Sequence, residues 1–257
     1  MMTAKPKSIY NNRIMDTSSI FLSILFPAHD EETRLPASLK QTDEFVKKQP
    51  YACEVIIIEN ASADGTLGIA RDFARSHNYV KVVHDDLPGK GRAVQRGMLL
   101  ARGTYRFVCD VDLSMPIDEI SHFLPPECGD YEIAIASREA PGAVRYGEPF
   151  YRHVVGRVFN SLVRILTLPE LNDTQCGFKC FSAQAAESLF PKMTITGWTF
   201  DVEILAIARR MKYRIIEVPI PWYYRANSKV HVLRDSIRMA LDLLLIRRNL
   251  RRGIYSR

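Results

Sequence analysis

Residues 20–32 have the sequence Ile-Phe-Leu-Ser-Ile-Leu-Phe-Pro-Ala-His-Asp-Glu-Glu, an apolar run that turns abruptly polar. A short apolar run before turn-forming and charged residues predicts a buried strand followed by a loop. Similar runs recur along the chain with helix-length segments between them, which is typical of βαβ units. The sequence therefore predicts an α/β fold with a Rossmann-like, mostly parallel sheet flanked by helices.

The same periodicity places the individual elements. Strands are expected near residues 20–26, 53–59, 79–84, 105–109, 131–137, 176–182 and 213–218. Helices are expected at about residues 33–48, 64–76, 90–101, 117–124, 150–167, 183–190, 199–211 and 230–247. Ligands of such sheets bind beyond the carboxyl ends of the strands, so the residues that follow each strand are the candidates for a site.

Composition sets the class of protein. The chain has 257 residues, of which 47% are hydrophobic and 25% charged, as in ordinary globular proteins. Its five cysteines are an odd number without a Cys-x-x-Cys pair, which favours reduced thiols in a cytosolic compartment. The apolar run 20–26 is far shorter than the roughly 20 residues of a transmembrane helix, so we expect no membrane span. Residues 1–18 are expected to form a flexible leader before a main domain at 19–229.

The net charge of +6 is concentrated at the carboxyl end. Residues 225–257 hold nine Lys and Arg against two Asp, a net of +7, and the remainder is about neutral. A basic end on a neutral body indicates an anionic partner, either lipid headgroups or nucleic acid. A nucleic-acid-binding protein would explain this end of the chain, but not the acidic residues after four strands.

Residues 230–257 are expected to form a basic amphipathic helix and tail. Apolar residues at 230, 233, 237, 240, 241 and 244 make one helical stripe, which we expect to pack on the main domain. Met239, Leu243 and Ile246 fall on the other side. They precede Arg247, Arg248, Arg251 and Arg252, so this end is expected to lie at an anionic membrane surface, with an oligomer contact as the alternative.

Polar motifs follow the first three predicted strands. Pro27-Ala-His-Asp-Glu-Glu32 and Glu59-Asn-Ala-Ser-Ala-Asp64 offer carboxylates to a nucleobase and ribose, although acids in such places also cap helices. Pro88-Gly-Lys-Gly-Arg92 opens a helix, where glycine backbone N–H groups and basic side chains suit a phosphate. Together these motifs predict a nucleotide pocket.

The fourth predicted strand ends in Cys109-Asp-Val-Asp-Leu-Ser114. Two carboxylates one residue apart can hold a hard divalent cation and leave its other positions to diphosphate oxygens and water. Asp110 and Asp112 are therefore the candidate ligands of such a cation.

These motifs, together with Asp173-Thr-Gln-Cys-Gly-Phe-Lys179, resemble glycosyltransferase family 2 over about residues 19–230. Within it the chain is similar to the polyprenyl-phosphate sugar synthases, which include dolichyl-phosphate glucosyl- and mannosyltransferases. The resemblance implies a GT-A fold, a nucleotide-diphosphate sugar donor, Mg²⁺ or Mn²⁺, and transfer to a polyprenyl or dolichyl phosphate with inversion at the anomeric carbon.

The resemblance also implies roles for individual residues. The donor would be bound by Pro27, Ala28, Glu31, Glu59, Asp64, Lys90, Asp110, Asp112 and Lys229. The acceptor phosphate would be bound by Arg138, Arg152, Arg157 and Gln175, unless the arginines at 152 and 157 only solvate a helix. The catalytic residues would be Asp112, Asp173, Arg138 and Arg152. Residues 139–149, rich in glycine and proline, are expected to form a mobile loop over the donor.

The acceptor decides what Asp173 does. A hydroxyl acceptor needs a general base. The motifs at residues 173–179 and 198–203 place Asp173, Asp201 and Glu203 beside the expected sugar site, and one of these three would then be the base. A phosphomonoester has a second pKa of about 6 and needs no base, so Asp173 is then expected to orient the sugar or acceptor.

Residues 173–179 resemble the glucosyl more than the mannosyl members, and this resemblance implies UDP-glucose as the donor. GDP-mannose is the alternative donor, and a family 2 enzyme acting on a hydroxyl is a further alternative. The expected partners are the nucleotide sugar, the lipid phosphate and an anionic membrane, without nucleic acid and with an oligomer left open. The expected location is the cytoplasm, at the inner face of a membrane.

Overall fold

The computed structural model of the chain describes residues 19–225 and 232–256. Its strands are β1 (Leu22–Ala28), β2 (Cys53–Asn60), β3 (Val80–Asp85), β4 (Tyr105–Val108), β5 (Ile133–Ser137), β6 (Val144–Tyr146), β7 (Lys179–Ser182), β8 (Ile215–Pro219) and β9 (Pro221–Tyr223). Its α-helices are α1 (Leu35–Lys48), α2 (Thr66–Ser76), α3 (Lys90–Leu100), α4 (Phe150–Leu166), α5 (Ala183–Leu189), α6 (Phe200–Arg210) and α7 (Val232–Arg252). The expected leader 1–18 and Lys229 lie outside the described residues.

The central sheet has seven strands in the order β3-β2-β1-β4-β7-β5-β8. Strand β7 is antiparallel to both of its neighbours, and the other pairs are parallel. Each of these strands overlaps one that the sequence predicts, so the mostly parallel α/β sheet is confirmed. Strands β6 and β9 form a separate parallel pair, which the sequence analysis missed because three residues are too few to show a period.

Alternate residues of β1 and β2 belong to two separate hydrophobic cores, one on each face of the sheet. In β1, Leu25 belongs to the core beneath α3 to α7, whereas Ile24 and Phe26 belong to the core beneath α1 and α2. The same alternation in β2 separates Ile56 from Ile57. Because both faces of the sheet are covered by helices, its strands are apolar throughout, which is why they were recognisable in the sequence.

One predicted helix takes a different form. Residues Ile117–Phe123 make a 3₁₀ helix instead of the expected α-helix. The buried residues Ile117, Ile120 and Phe123 are three apart, which suits the three residues per turn of a 3₁₀ helix.

The cysteines are free thiols, and four of the five are buried. Burial raises the pKa of Cys176 and of Cys180 to about 12, so both remain protonated at neutral pH. As expected from the sequence, these residues act as small apolar core side chains.

Helix α7 packs with the face that the sequence analysis assigned to the outside. Met239, Leu243 and Ile246 are buried, with Leu243 and Ile246 fully so. Ile237, Leu241 and Leu244, which were expected to pack, are 58%, 62% and 53% exposed. The prediction of the packed face was wrong because α7 carries two apolar stripes and periodicity cannot tell which one meets the body. In the part of the chain that the structure describes, no helix combines the length and hydropathy needed to cross a membrane.

The corrected orientation of α7 predicts opposite outcomes for two adjacent leucines. Leu243→Ala removes buried methyl groups and should lower the free energy of unfolding by about 2–5 kcal/mol. Leu244→Ala, on the exposed face, should change it by less than about 0.5 kcal/mol. Chemical denaturation measures both, and an equal loss in the two variants would contradict the orientation.

Candidate active site

A cleft of about 980 Å³ opens at the carboxyl ends of β1, β2 and β4. Pockets for small-molecule ligands have volumes of roughly 300–1,000 Å³, so this cleft lies at the upper end of that range. Three residues in the loops there have a positive φ although they are not glycine: Asp30 at 51°, Ala61 at 54° and Leu113 at 43°. Backbone strain of this kind concentrates at functional sites.

The structure brings many of the predicted residues together in this cleft. Its walls include Pro27, Glu31, Lys90, Asp110, Asp112, Arg138, Arg152 and Gln175. Among the described residues, those predicted for the site but absent from its walls are Ala28, Glu59, Asp64, Arg157 and Asp173. The roles of both groups in binding or catalysis stay predictions.

The residues outside the walls have structural partners. The fully buried Glu59 accepts a hydrogen bond from the backbone N–H of Ser62 at 2.7 Å and pairs with His84 at 2.5 Å. Asp64 accepts from the N–H of Thr66 at 3.0 Å, as a residue before a helix does. Arg157 pairs with Glu139 at 2.6 Å. These contacts shape the loops around the cleft.

Two carboxylates and one ammonium group lie at the floor of the cleft. Lys90 Nζ is 2.6 Å from Asp110 Oδ1 and 5.3 Å from the centre of the Trp198 ring. Burial opposes the charge of Lys90, but Asp110 and Asp201 outweigh it and raise the pKa of this lysine. Asp112 Oδ1 accepts from the N–H of Ser114 at 2.9 Å, which fixes the turn after β4.

Two glycines allow the chain to approach these groups closely. A Cβ atom on Gly177 would lie 1.9 Å from Asp110 Oδ2, so only glycine leaves room for that carboxylate. Gly89 has a φ of 141°, and a Cβ there would lie 2.7 Å from the carbonyl oxygen of Thr196. Gly89 thus lets helix α3 present Lys90 to the cleft.

The donor set suits a hard divalent cation. Asp110 and Asp112 both line the cleft with carboxylate oxygens, the ligands that Mg²⁺ and Mn²⁺ prefer. The ammonium group of Lys90 against Asp110 demonstrates that this floor attracts positive charge. Within the described residues, three or more His, Cys, Asp or Glu side chains do not gather into a metal cluster, so part of a coordination sphere would have to come from substrate or water.

The wall residue Arg138 forms a bidentate pair with Asp173, which does not itself line the cleft. Arg138 Nε and Nη2 lie 2.7 and 3.0 Å from the two carboxylate oxygens, and the Arg138 N–H donates to Oδ2 at 3.0 Å. Asp173 is fully buried. Burial alone would raise its pKa, but the charge and hydrogen bonds of Arg138 prevail and lower the pKa to about 2. Asp173 is therefore a fixed carboxylate with little tendency to take up a proton.

Arg152 differs from Arg138 in its surroundings. Its guanidinium lies 5.3 Å from the Tyr224 ring centre, and its Nε is buried without a hydrogen-bond partner among the described residues. A buried donor without a partner costs free energy unless a ligand satisfies it. This nitrogen is accordingly suited to an anion that enters the cleft.

A second buried pair borders the cleft at Asp201. Its Oδ1 is 2.8 Å from Lys179 Nζ, and both side chains are almost fully buried. Burial raises the pKa of Asp201 despite the charges of Lys179 and Lys90. Asp201 is thus a carboxylate in the cleft wall that burial makes easier to protonate.

Several wall residues were not proposed for the site from the sequence, namely Arg145, Trp222, Tyr224, Arg225 and Arg238. Arg145 bridges Glu139 and Glu148 at 2.5 and 2.6 Å, and Arg138 lies 5.5 Å from the Trp222 ring centre. Except for Arg238 on α7, these residues lie on or beside β6 and β9. The missed β6–β9 pair is the reason that they were overlooked.

Breaking the Arg138–Asp173 pair should destabilise the fold. Asp173→Asn leaves the half-buried Arg138 guanidinium without its counter-ion and should lower the free energy of unfolding by about 3 kcal/mol at pH 7, the lower end of the range for buried pairs. Because folding lowers the Asp173 pKa from its ordinary 3.8 to about 2, the stabilisation is complete above about pH 5 and declines as the pH falls towards 2. Denaturation of both proteins between pH 7 and 3 measures this. A difference that widens on acidification would contradict it.

Comparison with known proteins gives the family. The model of glycosyl transferase family 2 matches residues 23–190. The dolichyl-phosphate beta-glucosyltransferase of Dictyostelium discoideum is 31% identical over 97% of this chain and 80% of its own length. The protein of the same name from Drosophila melanogaster is 31% identical over 93% of this chain and 78% of its own. The family resemblance expected from the motifs is confirmed.

Solved structures have the same fold. The glucosyl-3-phosphoglycerate synthase of Mycobacterium tuberculosis in complex with UDP superposes with a TM-score of 0.64, at 19% identity, over 90% of this chain and 81% of that one. Its complex with Mn²⁺, UDP-glucose and glycerol 3-phosphate gives a TM-score of 0.64 at 18% identity over the same shares. This chain is a glycosyltransferase with a GT-A fold, and it belongs to glycosyl transferase family 2.

Proposed function

We propose that this glycosyltransferase moves glucose from UDP-glucose to the phosphate of a polyprenyl or dolichyl lipid, with inversion at the anomeric carbon. We also propose that it works in the cytoplasm, at the inner face of a membrane, where such a lipid resides. The observation that carries the proposal is the combination, in one cleft, of a carboxylate floor with an arginine wall. Asp110 and Asp112 form the floor, and the wall consists of Arg138, Arg145 and Arg152. The carboxylate that lies beside this wall, Asp173, already has both oxygens bound to Arg138.

The arginine wall supports a phosphate acceptor. Arg152 has a buried Nε without a partner in the described part of the chain, and Arg138 and Arg145 lie in the same wall. Guanidinium groups bind phosphate oxygens through directed hydrogen bonds, and Arg152 has such a bond to offer. Gln175, also in the wall, would add a neutral donor.

The state of Asp173 supports the same acceptor. A hydroxyl nucleophile requires a base that accepts its proton, whereas a phosphomonoester is mostly dianionic at neutral pH. Asp173, with a pKa of about 2 and both oxygens bound to Arg138, is a poor base. Its role would be to hold Arg138 in place beside the acceptor.

Bond making and breaking then follow from position. An acceptor phosphate oxygen bound at the arginine wall would attack the anomeric carbon from the side opposite the diphosphate, and the bond from that carbon to the diphosphate oxygen would break. Asp110 and Asp112 would hold Mg²⁺ or Mn²⁺, which stabilises the negative charge of a leaving diphosphate. Lys90, at the positively polarised end of α3, would contribute a second cation on the same side.

Two observations bear on the donor. The relatives in Dictyostelium and Drosophila are named beta-glucosyltransferases, and the structural neighbour was solved with UDP-glucose. Both favour UDP-glucose over GDP-mannose, which stays the alternative donor.

Asp201 is the observation that favours a second candidate function, transfer to a hydroxyl. It lines the cleft and burial raises its pKa, as suits a base. Its pairing with Lys179 at 2.8 Å argues against this role, because that lysine favours the ionised form and holds the oxygen. Transfer to a lipid phosphate is accordingly the first proposal.

A substrate screen tests the proposal. The full-length protein is incubated with UDP-glucose, GDP-mannose and other nucleotide sugars, with polyprenyl phosphate or the matching polyprenol as acceptor, and the products are identified by mass spectrometry. We expect a metal-dependent glucosyl phosphate lipid from UDP-glucose. Asp112→Asn should abolish that product and the metal-dependent part of UDP binding, because one carboxylate ligand is lost. Transfer to polyprenol alone would reject the phosphate acceptor.

Arg152 gives a sharper test of the acceptor side. Arg152→Gln should raise the KM for the lipid phosphate by about tenfold or more, since a charge-assisted hydrogen bond of about 1.5–3 kcal/mol is lost, and should leave UDP affinity nearly unchanged. Steady-state kinetics and calorimetry measure the two quantities.

The matched control for this test is Arg75→Gln. Arg75 lies on α2, outside the cleft, with its Nη1 2.7 Å from Asp72 Oδ1. We expect its KM for lipid phosphate to stay within about twofold of the wild type. An equal loss of UDP affinity in Arg152→Gln would instead place Arg152 on the donor side.

A further inference from the structure

Helix α4 carries an unusual amount of exposed apolar side chain. Of its 17 residues only Phe159 and Val163 are buried. Phe150 is 81% exposed and Ile165 is 77% exposed. The full set of exposed large apolar residues on this helix is Phe150, Tyr151, Val154, Val155, Val158, Leu162 and Ile165. Single exposed apolar residues are normal on a protein surface, but seven on one helix mark an interaction surface.

These seven residues lie on one face. At about 100° per residue, a helix places all of them within an arc of about 140°. Arg157 and Arg164, both exposed, project next to one edge of this arc. The buried residues Phe159 and Val163 lie beyond its other edge. We call the set of seven residues the α4 face.

The charges of α4 are all of one kind. The helix contains Arg152, Arg157 and Arg164 and no acidic residue. An apolar face bordered by arginines is the composition of a helix that lies in the interface of an anionic membrane. Such a helix buries its apolar face among the lipid chains, while its arginines reach the headgroups.

Helix α7, which packs against α4, continues the same character. Its exposed residues Ile237, Leu241 and Leu244 are apolar, and they are followed along the same side by Arg248, Arg251 and Arg252. Both helices also contribute to the cleft, α4 through Arg152 and α7 through Arg238. The exposed apolar surface thus adjoins the entrance to the candidate active site.

We propose that the α4 face, extended by the exposed side of α7, docks this protein onto an anionic lipid bilayer with the cleft opening towards the headgroups. The purpose of this docking, access to a lipid phosphate, rests on the proposed function. A lipid phosphate could then reach Arg152 while its hydrocarbon chain remains in the bilayer. The polyprenyl chain would not have to be extracted into water.

Charge argues for a bilayer over a second copy of the chain as the occupant. A twofold dimer brings the same surface of both copies together. On this face it would bring Arg164 and, less strongly because Glu139 pairs with it, Arg157 against their own equivalents, and α4 has no acidic residue to place between them. Anionic lipid headgroups complement these arginines, and the contribution of each arginine should weaken with ionic strength.

Vesicle binding in the absence of substrates tests the proposal. We compare the wild type with the triple variant Phe150→Gln, Val158→Gln and Ile165→Gln, in which none of the altered residues lines the cleft. Co-sedimentation with vesicles of phosphatidylcholine and phosphatidylglycerol should show a partition coefficient at least tenfold lower for the triple variant. Binding of the triple variant equal to that of the wild type would overturn the proposal.

The control is a second triple variant, Leu99→Gln, Leu100→Gln and Met211→Gln, at exposed apolar positions outside α4 and α7. It should bind vesicles as the wild type does, and an equal loss in this variant would overturn the assignment to the α4 face. Thermal unfolding verifies that both variants are folded. If the wild type ignores vesicles and is a dimer that the first variant dissociates, the face is a dimer interface and the proposal is wrong.

A direct measurement identifies which surface of the bound protein meets the lipid. Tryptophan introduced by Ile165→Trp should be quenched by brominated lipids in the vesicles, whereas tryptophan introduced by Leu99→Trp should not. Absence of quenching at position 165 would overturn the proposal even if the protein bound vesicles by another surface.

Turnover of a short, water-soluble polyprenyl phosphate separates this proposal from the proposed function. The first triple variant should retain that turnover. Vesicle binding without any transfer to polyprenyl phosphate would reject the proposed function and leave the docking surface standing. Transfer to the short acceptor by a protein that does not bind vesicles would do the reverse.

Discussion

The antiparallel insertion of β7 between β4 and β5 is the constraint on which the cleft depends. Because β7 runs against its neighbours, the segment that leads into it crosses the edge where β4 ends. That crossing places Gly177 against Asp110, Asp173 against Arg138, and Lys179 against Asp201. A single segment therefore joins the carboxylate floor to the arginine wall, and the fit at Gly177 leaves no space for a side chain.

The charges of the cleft are largely matched within the protein. Lys90 faces Asp110, Arg138 faces Asp173, and Lys179 faces Asp201, each pair at 2.6–2.8 Å. Buried ions are tolerated only when paired in this way. A diphosphate entering the cleft would repel the acids at the floor, which gives a physical reason for a divalent cation there. At the arginine wall the buried Nε of Arg152 still has a hydrogen bond to donate.

The sequence predicted most of the sheet because its strands are buried on both faces and therefore apolar throughout. The carboxylates after β1 and β4 were identifiable because parallel strands deliver their loops to one edge. Hydrophobic periodicity did not identify the packed face of α7, because that helix carries two apolar stripes. It also did not reveal β6 and β9, because each has only three residues. Arg145 and Arg238 reach the cleft through tertiary packing, which local sequence does not encode. The family motifs named Glu59 and Asp64, but contacts within the protein now engage both side chains.

The carboxylate floor and most of the arginines of the cleft come from separate stretches of chain. Residues 27–112 supply the floor with its carboxylates, and residues 138–160 supply Arg138, Arg145, Arg152 and the helix that borders the entrance. Strand β6, α4 and their connecting loops lie outside the central sheet, joined to it at β5. Apart from Phe159 and Val163, which belong to the core, residues of this second stretch can therefore change without disturbing the sheet or the carboxylate floor. A descendant of this chain could remodel the arginine side of the cleft chiefly within one contiguous segment, while the stretch that carries the carboxylate floor is inherited unaltered.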